Sequence, residues 1–365
     1  MTKPKILVTG ATGKTGTQVV AQFREKGWPV RAVVHKLDAR SDRLRQQGAE
    51  VVVANLYDYE QMLQAMRGTQ RAYYCPPMHP YMVQGAAAFA AAARDASLEA
   101  VVGLSQWLAS PEHPSLHTRQ VWLVEQMLAS IPGVLHVNLN PGYFADNYLR
   151  LIDFASLLRV FPVLTGDSRN APPSNEDIAR CAVALLVAPE RHAGKSYRPT
   201  GPKLLSAHDM AGIVGKVLGH PVAAVNMPFW MLERAARIQG ENAFVIGSLR
   251  YYVEDHKQGA FEYGAPTDVV RELAGQTAED FETTARRYAA MPFARKTFAN
   301  RLRAFVDFNR VPFTRGYNLP RYEREQSFPV PPNPKHAMDD ARWKSEHHAV
   351  PARASDDQLQ TAGVT

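Results

Sequence analysis

Cysteine is nearly missing from this chain of 365 residues, which contains only Cys75 and Cys181. Two thiols so far apart build neither a disulfide framework nor a cysteine-ligated zinc site. The chain also lacks an apolar run of the ~20 residues that a bilayer-spanning helix needs. The stretch 85–93 is short and alanine-rich and reads as a packed helix. No signal-peptide pattern precedes the first strand, so a cytoplasmic protein is expected. Charge of one sign is scarce as well. Lys and Arg total 42 against 35 for Asp and Glu, a net charge of +7, and no zinc-finger, helix-turn-helix or RNA-binding signature accompanies it. Neither a nucleic-acid nor a membrane partner is expected. The His113, Pro114 and His117 spacing has no carboxylate to complete it, so no metal is expected either. Internal repeats are absent.

What is present is a glycine-rich turn. Ile6, Leu7 and Val8 form an apolar strand that runs into Thr9-Gly10-Ala11-Thr12-Gly13-Lys14-Thr15-Gly16, and a helix pattern follows over 17–26. Gly10 permits the tight turn, Gly13 leaves room for a phosphate against the backbone, and Gly16 lets the helix lie close to the sheet. The helix N-terminus then directs free N–H groups at a dinucleotide diphosphate, so Thr12, Lys14 and Thr15 join the glycines as cofactor-binding candidates. The spacing G-x-x-G-x-x-G is weak by itself. Its position between strand and helix is what strengthens it.

The first half alternates short apolar strands (5–8, 30–34, 51–53, 72–75, 100–104 and 134–138) with helical segments. That rhythm predicts an α/β, Rossmann-like, doubly wound parallel sheet with its ligand crevice at the strand carboxyl ends. Helical patterns at 149–160, 177–188, 206–218, 229–238 and 278–291 predict a smaller, mainly helical C-terminal lobe. The expected division is a nucleotide-binding domain over 1–145, a helical substrate lobe over 146–317 interleaved with that core, and a Pro-rich, extended or partly disordered tail over 318–365. A homodimer or a regulatory protein partner stays open.

With these pieces in order, the chain resembles the NmrA-like branch of the atypical short-chain dehydrogenases. The resemblance rests on residues 8–16, on Val30-Arg31-Ala32-Val33-Val34, on Gly48-Ala49-Glu50-Val51-Val52, on Asn138-Leu139-Asn140-Pro141-Gly142-Tyr143-Phe144 and on residues 265–273. It implies NAD(P) as cofactor, with Asn55 and Leu56 near the adenine and Tyr74, Cys75 and Pro76 beside a ribose. The segment containing Pro141 and Tyr143 is implied to lie by the nicotinamide. It implies either a reductase of quinones or dyes acting on a small-molecule substrate, or a non-catalytic NADP(H) sensor that works through a protein partner. Cys75 reads first as a small buried filler, with a redox-sensitive thiol as the alternative.

Two departures shape the functional expectation. NAD-preferring sites place a carboxylate at the tip of the second strand. Here the tip reads His35-Lys36, with Arg40 behind it, a cationic cluster suited to a 2′-phosphate. NADP(H) is therefore favoured, with NAD(H) open because Asp38 could serve the hydroxyl and because Lys36 and Arg40 also read as solvated loop charges. The second departure is catalytic. Short-chain dehydrogenases use a Tyr with a Lys four residues on, and those positions here hold His117 and Val121. No lysine occurs between Lys36 and Lys195. Proton-donor candidates are His117, whose ordinary pKa is near neutral but which reads first as a helix-start residue exposed to water, and Tyr143. Ser105, just past the fifth strand, is placed to bond a substrate oxygen or the nicotinamide ribose.

Overall fold

The structure is a computed structural model that describes residues 3–347. Six strands succeed one another in the first half: β1 (Ile6–Val8), β2 (Val30–Val34), β3 (Glu50–Val53), β4 (Arg71–Tyr74), β5 (Ala100–Leu104) and β6 (Leu135–Leu139). Between them run α1 (Lys14–Glu25), α2 (Ala39–Gln46), α3 (Tyr59–Met66), α4 (Met82–Asp95) and α5 (Leu116–Ala129). After β6 come α6 (Ala145–Leu149), α7 (Ile152–Leu158), β7 (Val160–Val163), α8 (Asn175–Val187) and β8 (Ser196–Tyr197). The main sheet has seven strands in the order β3-β2-β1-β4-β5-β6-β8, all pairs parallel. The order reverses between β1 and β4, which opens a crevice at their carboxyl ends.

The strands are short and largely apolar because both faces of the sheet are covered, and β1 and β5 carry no polar side chain at all. Successive side chains of β1 point opposite ways. Ile6 and Val8 pack with Val19, Phe23, Ile178 and Leu185 of α1 and α8, while Leu7 packs with Met62, Phe89 and Val124 of α3, α4 and α5. Each such side chain contributes about 1.5–3 kcal/mol by leaving water.

The lobe adds α9 (Ala207–Leu218), β9 (Ala223–Asn226), α10 (Phe229–Ile238), α11 (Ala243–Lys257), α12 (Val269–Ala274), α13 (Phe281–Ala289) and α14 (Phe298–Arg310). Its core gathers Leu149, Ile152, Phe161, Met210, Val214 and Phe281. Two features differ from the sequence expectation. The single helix expected over 149–160 is α6 and α7, and Arg159 takes a left-handed backbone at φ 61° where α7 ends. The chain then enters β7, which pairs in parallel with β9 in a separate two-stranded sheet. Apolar spacing alone cannot anticipate a pairing partner 60 residues away. The seventh main strand, β8, has two residues and is too short to leave a pattern.

The segment 318–347 is packed where an extended or partly disordered tail is expected, and residues 348–365 lie outside the described residues. It forms α15 (Leu319–Glu325) and α16 (Ala341–Glu346) and crosses the body as a strap. Arg119 donates to the Pro329 carbonyl, and Lys335 N donates to the Glu112 carbonyl at 3.0 Å. Trp343 is buried edge-on against Trp107, and its indole N–H donates to the Trp107 carbonyl at 3.0 Å. The polar, Pro-rich composition hides this, because the apolar partner of Trp343 lies more than 200 residues upstream.

Candidate functional site

The glycine turn has the geometry of an anion cradle. Gly10 adopts φ 59°, and a Cβ there would sit 3.1 Å from that of Cys75. A Cβ on Gly16 would sit 2.2 Å from the Gly10 carbonyl oxygen, so only glycine lets α1 approach the turn this closely. Most neighbouring helices are capped by a side chain, as Asp38 caps α2, Asp58 caps α3, Ser115 caps α5 and Ser174 caps α8. Helix α1 instead starts at Gly13 with no side-chain cap and no acid in its first turn. Its leading N–H groups are left for an external acceptor, and a diphosphate fits that requirement.

The other cofactor candidates divide by what already engages them. Thr12 lies half-buried beside the turn. The Thr15 hydroxyl is buried and donates to Asn175 Oδ1 at 2.8 Å, so its side chain is structural. Lys14 pairs with the buried Asp146 carboxylate, which Arg150 also approaches at 3.7 Å. At the tip of β2, His35 and Lys36 are exposed. Arg40 forks onto Asp38 at 2.7 and 3.1 Å, and this pairing holds the Asp38 carboxyl down at about 2. Asp38 also accepts from the backbone N–H groups of Arg40 and Ser41. Its oxygens are therefore committed, which leaves Lys36 as the cation there with no ion-pair partner among the described residues.

Asn55 is exposed and accepts from Tyr57 N at 3.1 Å in a local turn, with Leu56 half-buried next to it. Tyr74 is fully buried against Phe89, with ring centroids 4.2 Å apart, and its hydroxyl has no partner. Its side chain belongs to the core, so only its backbone is placed to meet a cofactor. Burial pushes the Cys75 thiol up to about 11, which favours the filler reading over a reactive thiol.

Past the ends of β4, β5 and β6 lies a cavity of about 420 Å³. Its sheet-side wall includes Pro76, Leu104, Ser105, His117, Val121, Pro141 and Tyr143, and its lobe-side wall includes Leu164, Leu232, Ile246, Leu249 and His256. The three catalytic candidates thus share one predominantly apolar chamber. Tyr143 is held by ring contacts to Tyr148, Tyr252 and Phe261, and burial pushes its hydroxyl pKa up. His256 bridges Tyr148 Oη at 2.5 Å and Ser168 Oγ at 2.6 Å, which fixes the far wall.

His117 differs from the sequence expectation. Burial, with help from the nearby His113, pushes it down to about 4. The ring is therefore neutral at pH 7 and is a poor proton donor. Its Nδ1 is buried without a partner.

Behind Ser105 stands an acid that the sequence does not single out. Glu125 is bonded to the Ser105 hydroxyl and accepts from Asn140 Nδ2 at 2.6 Å. Burial raises its carboxyl, the two hydrogen bonds draw it partly back, and it settles at about 7. A signal was available: His117, Val121 and Glu125 recur every four residues, which sets them along one side of α5.

A second buried cluster joins His113, Asp255 and His336, whose ligand-type atoms lie within 4.8 Å of one another. Ser115 N donates to His113 Nδ1 at 3.0 Å, which places the ring hydrogen on Nε2, facing Asp255 at 2.8 Å. That nitrogen donates and does not present a lone pair. Asp255 also accepts from His336 Nδ1 at 3.0 Å and from Ala337 N at 2.9 Å. The cluster clamps the strap and is not arranged to hold a metal.

Residues 2–102 match the model of the NmrA-like family. An NAD(P)H azoreductase of Xenophilus azovorans is 27% identical over 287 residues, 78% of this chain and 98% of the relative. The NADPH-dependent quinone oxidoreductase of Escherichia coli, solved in complex with NADPH, matches with a TM-score of 0.65 at 21% identity, over 77% of this chain and 99% of its own. NmrA, a negative transcriptional regulator solved with NADP, matches with a TM-score of 0.60 at 18% identity, over 78% and 95%. The chain carries His117 and Val121 on the cavity wall, where the resemblance to short-chain dehydrogenases implies a Tyr and a Lys.

Proposed function

We propose that this protein is an NADPH-dependent oxidoreductase that reduces a small conjugated acceptor such as a quinone, with Ser105 and Glu125 as its proton path. The observation that carries this reading is a buried carboxyl titrating near pH 7 and bonded to the one hydroxyl, Ser105, that stands at the mouth of β5 in the chamber. The relatives named as an azoreductase and a quinone oxidoreductase support the reaction class.

The residues divide the work as follows. Backbone N–H groups of Lys14, Thr15 and Gly16 would bind the diphosphate, and Lys36, with His35 and Arg40, the 2′-phosphate. Asn55 and Leu56 would border the adenine, the backbone at Tyr74, Cys75 and Pro76 a ribose, and Pro141 and Tyr143 the nicotinamide. The bound cofactor supplies a hydride. The acceptor lies between the sheet ends and the lobe, where apolar walls exclude water. Ser105 donates its hydroxyl proton to the acceptor oxygen that gains charge, and Glu125 returns a proton to Ser105. The acceptor thus gains one hydride and one proton, and Glu125 recovers its own from water. Asn140 holds the Glu125 carboxyl in line. His117, neutral, offers a hydrogen bond that orients the acceptor.

A second reading has one observation in its favour. With Val121 in place of a lysine, no cation stands on this wall of α5, as suits an NADP(H) sensor that binds without turnover and acts through a protein partner. Purified protein mixed with NADPH and a panel of quinones and azo dyes separates the two. NADPH binding followed by loss of its absorbance on adding acceptor supports the reductase. Tight binding with no oxidation across the panel defeats it in favour of the sensor.

A further inference from the structure

Helix α14 presents an apolar face to solvent. Phe298, Leu302, Phe305 and Val306 are 83%, 52%, 58% and 42% exposed, and Phe313 just beyond is 90% exposed. Their spacing of four, three and one residues sets the first four on one side of the helix, while Ala304 is the residue buried on the other. The helix is a formed element, since the Thr297 hydroxyl caps it by accepting from Asn300 N at 3.2 Å. No described residue covers the apolar side.

The flanks of this face are strongly basic. Between 291 and 316 stand Arg295, Lys296, Arg301, Arg303, Arg310 and Arg315, against the single acid Asp307. None of the six cations forms an ion pair among the described residues. Arg301 flanks the stripe on one side, and Arg303 and Arg310 flank it on the other. Helix α10 lies alongside. Its Arg234 and Arg237 donate to the Pro312 and Arg315 carbonyls at 2.8 and 2.6 Å, and its Trp230 is exposed.

We propose that this face docks in the plane of an anionic phospholipid bilayer. A second copy of the chain is a poor occupant, because a two-fold interface here would oppose six cations with six cations and only two carboxylates. An anionic bilayer answers both features together. Hydrocarbon accepts the Phe and Leu side chains, and the phosphates meet the flanking guanidinium groups. The contact is in-plane, since no helix among the described residues is long and apolar enough to cross a membrane. The docked geometry brings α10, whose Leu232, Ala235 and Ala236 line the reductase chamber, to the lipid surface. This inference concerns binding and stands whether or not the protein turns over.

The test is co-sedimentation of the full chain with vesicles of phosphatidylcholine alone and of phosphatidylcholine with about one-third phosphatidylglycerol. Expected is pelleting with the anionic vesicles only, weakened by high salt. The triple variant Phe298→Ser, Leu302→Ser, Phe305→Ser should bind at least ~10-fold more weakly, with its thermal transition unchanged because these side chains support no core. The pair Arg301→Glu, Arg303→Glu should lose binding similarly, which guards against any folding defect of the first variant. Wild-type protein left in the supernatant with anionic vesicles overturns the proposal. So does equal binding by both variants, or a wild-type dimer in solution that the triple variant splits.

Discussion

Glu125 is where stability and turnover should part. The buried carboxyl titrates at about 7 in the fold, against an ordinary 4.5. At roughly 1.4 kcal/mol per pH unit, ionising it in place costs the folded state about 3 kcal/mol. The sign follows from which state holds the proton more tightly. The fold does, so below pH 4.5 both states are protonated and nothing is lost. Stability then falls as pH rises from 4.5 to about 7, and the full cost remains above that. Glu125→Gln keeps an oxygen that accepts from Ser105 and Asn140 but cannot ionise. Its thermal or denaturant midpoint should match wild type near pH 5 and exceed it at pH 8, by up to about 3 kcal/mol. Its kcat with a quinone should move the other way. Wild-type kcat should decline above pH 7 as the acid is lost, whereas the variant should be about 10²- to 10⁴-fold slower and flat through that range. Ser105→Ala should show the same flat profile, and the double variant should be no slower than either single one. A Glu125→Gln enzyme that keeps the wild-type pH dependence, or that is destabilised equally at pH 5 and pH 8, would refute the relay and leave Glu125 a structural acceptor.

Three further outcomes are expected. Lys36→Ala should weaken NADPH binding, read by nicotinamide fluorescence, about 10-fold while sparing NADH. Arg40→Ala should do less, because its guanidinium is already committed to Asp38; equal losses for both cofactors would remove the 2′-phosphate assignment. Gly16→Ala should abolish tight binding of either cofactor and lower the melting temperature, since its Cβ would meet the Gly10 carbonyl at 2.2 Å, and retained calorimetric affinity would count against the cradle. Trp343→Ala should cost about 3–5 kcal/mol in denaturant unfolding; a cost under about 1 kcal/mol would mean that the strap is not part of the core.

The sheet and the cradle were readable because their causes are local. A strand buried on both faces must be largely apolar, and Gly16 answers to a steric demand within a few residues of itself. The lobe was less readable, since β7 and β9 are strands only by virtue of each other. The chamber wall was readable by place and not by chemistry. Ser105, His117 and Tyr143 do meet in one chamber, yet the protonation of His117 depends on burial that no composition reveals. Glu125 takes its character from burial, tempered by Ser105 and Asn140, contacts across the fold between α5 and the ends of β5 and β6. The tail misled for the same reason: Trp343 in a polar run looks stranded until Trp107 is beside it.

That strap gives the order of synthesis a structural consequence. Asp255, on the helix that also supplies Leu249 and His256 to the chamber, receives two of its hydrogen bonds from His336 and Ala337. Trp107, just past the end of β5, is covered by Trp343. A nascent chain can assemble the sheet and most of the lobe while still attached to the ribosome, but Asp255 and Trp107 gain these partners only once residues 336–343 have emerged. A message truncated shortly before residue 336 would yield a protein with its nucleotide cradle formed and a buried carboxylate half-partnered, a distinctive substrate for proteolytic quality control.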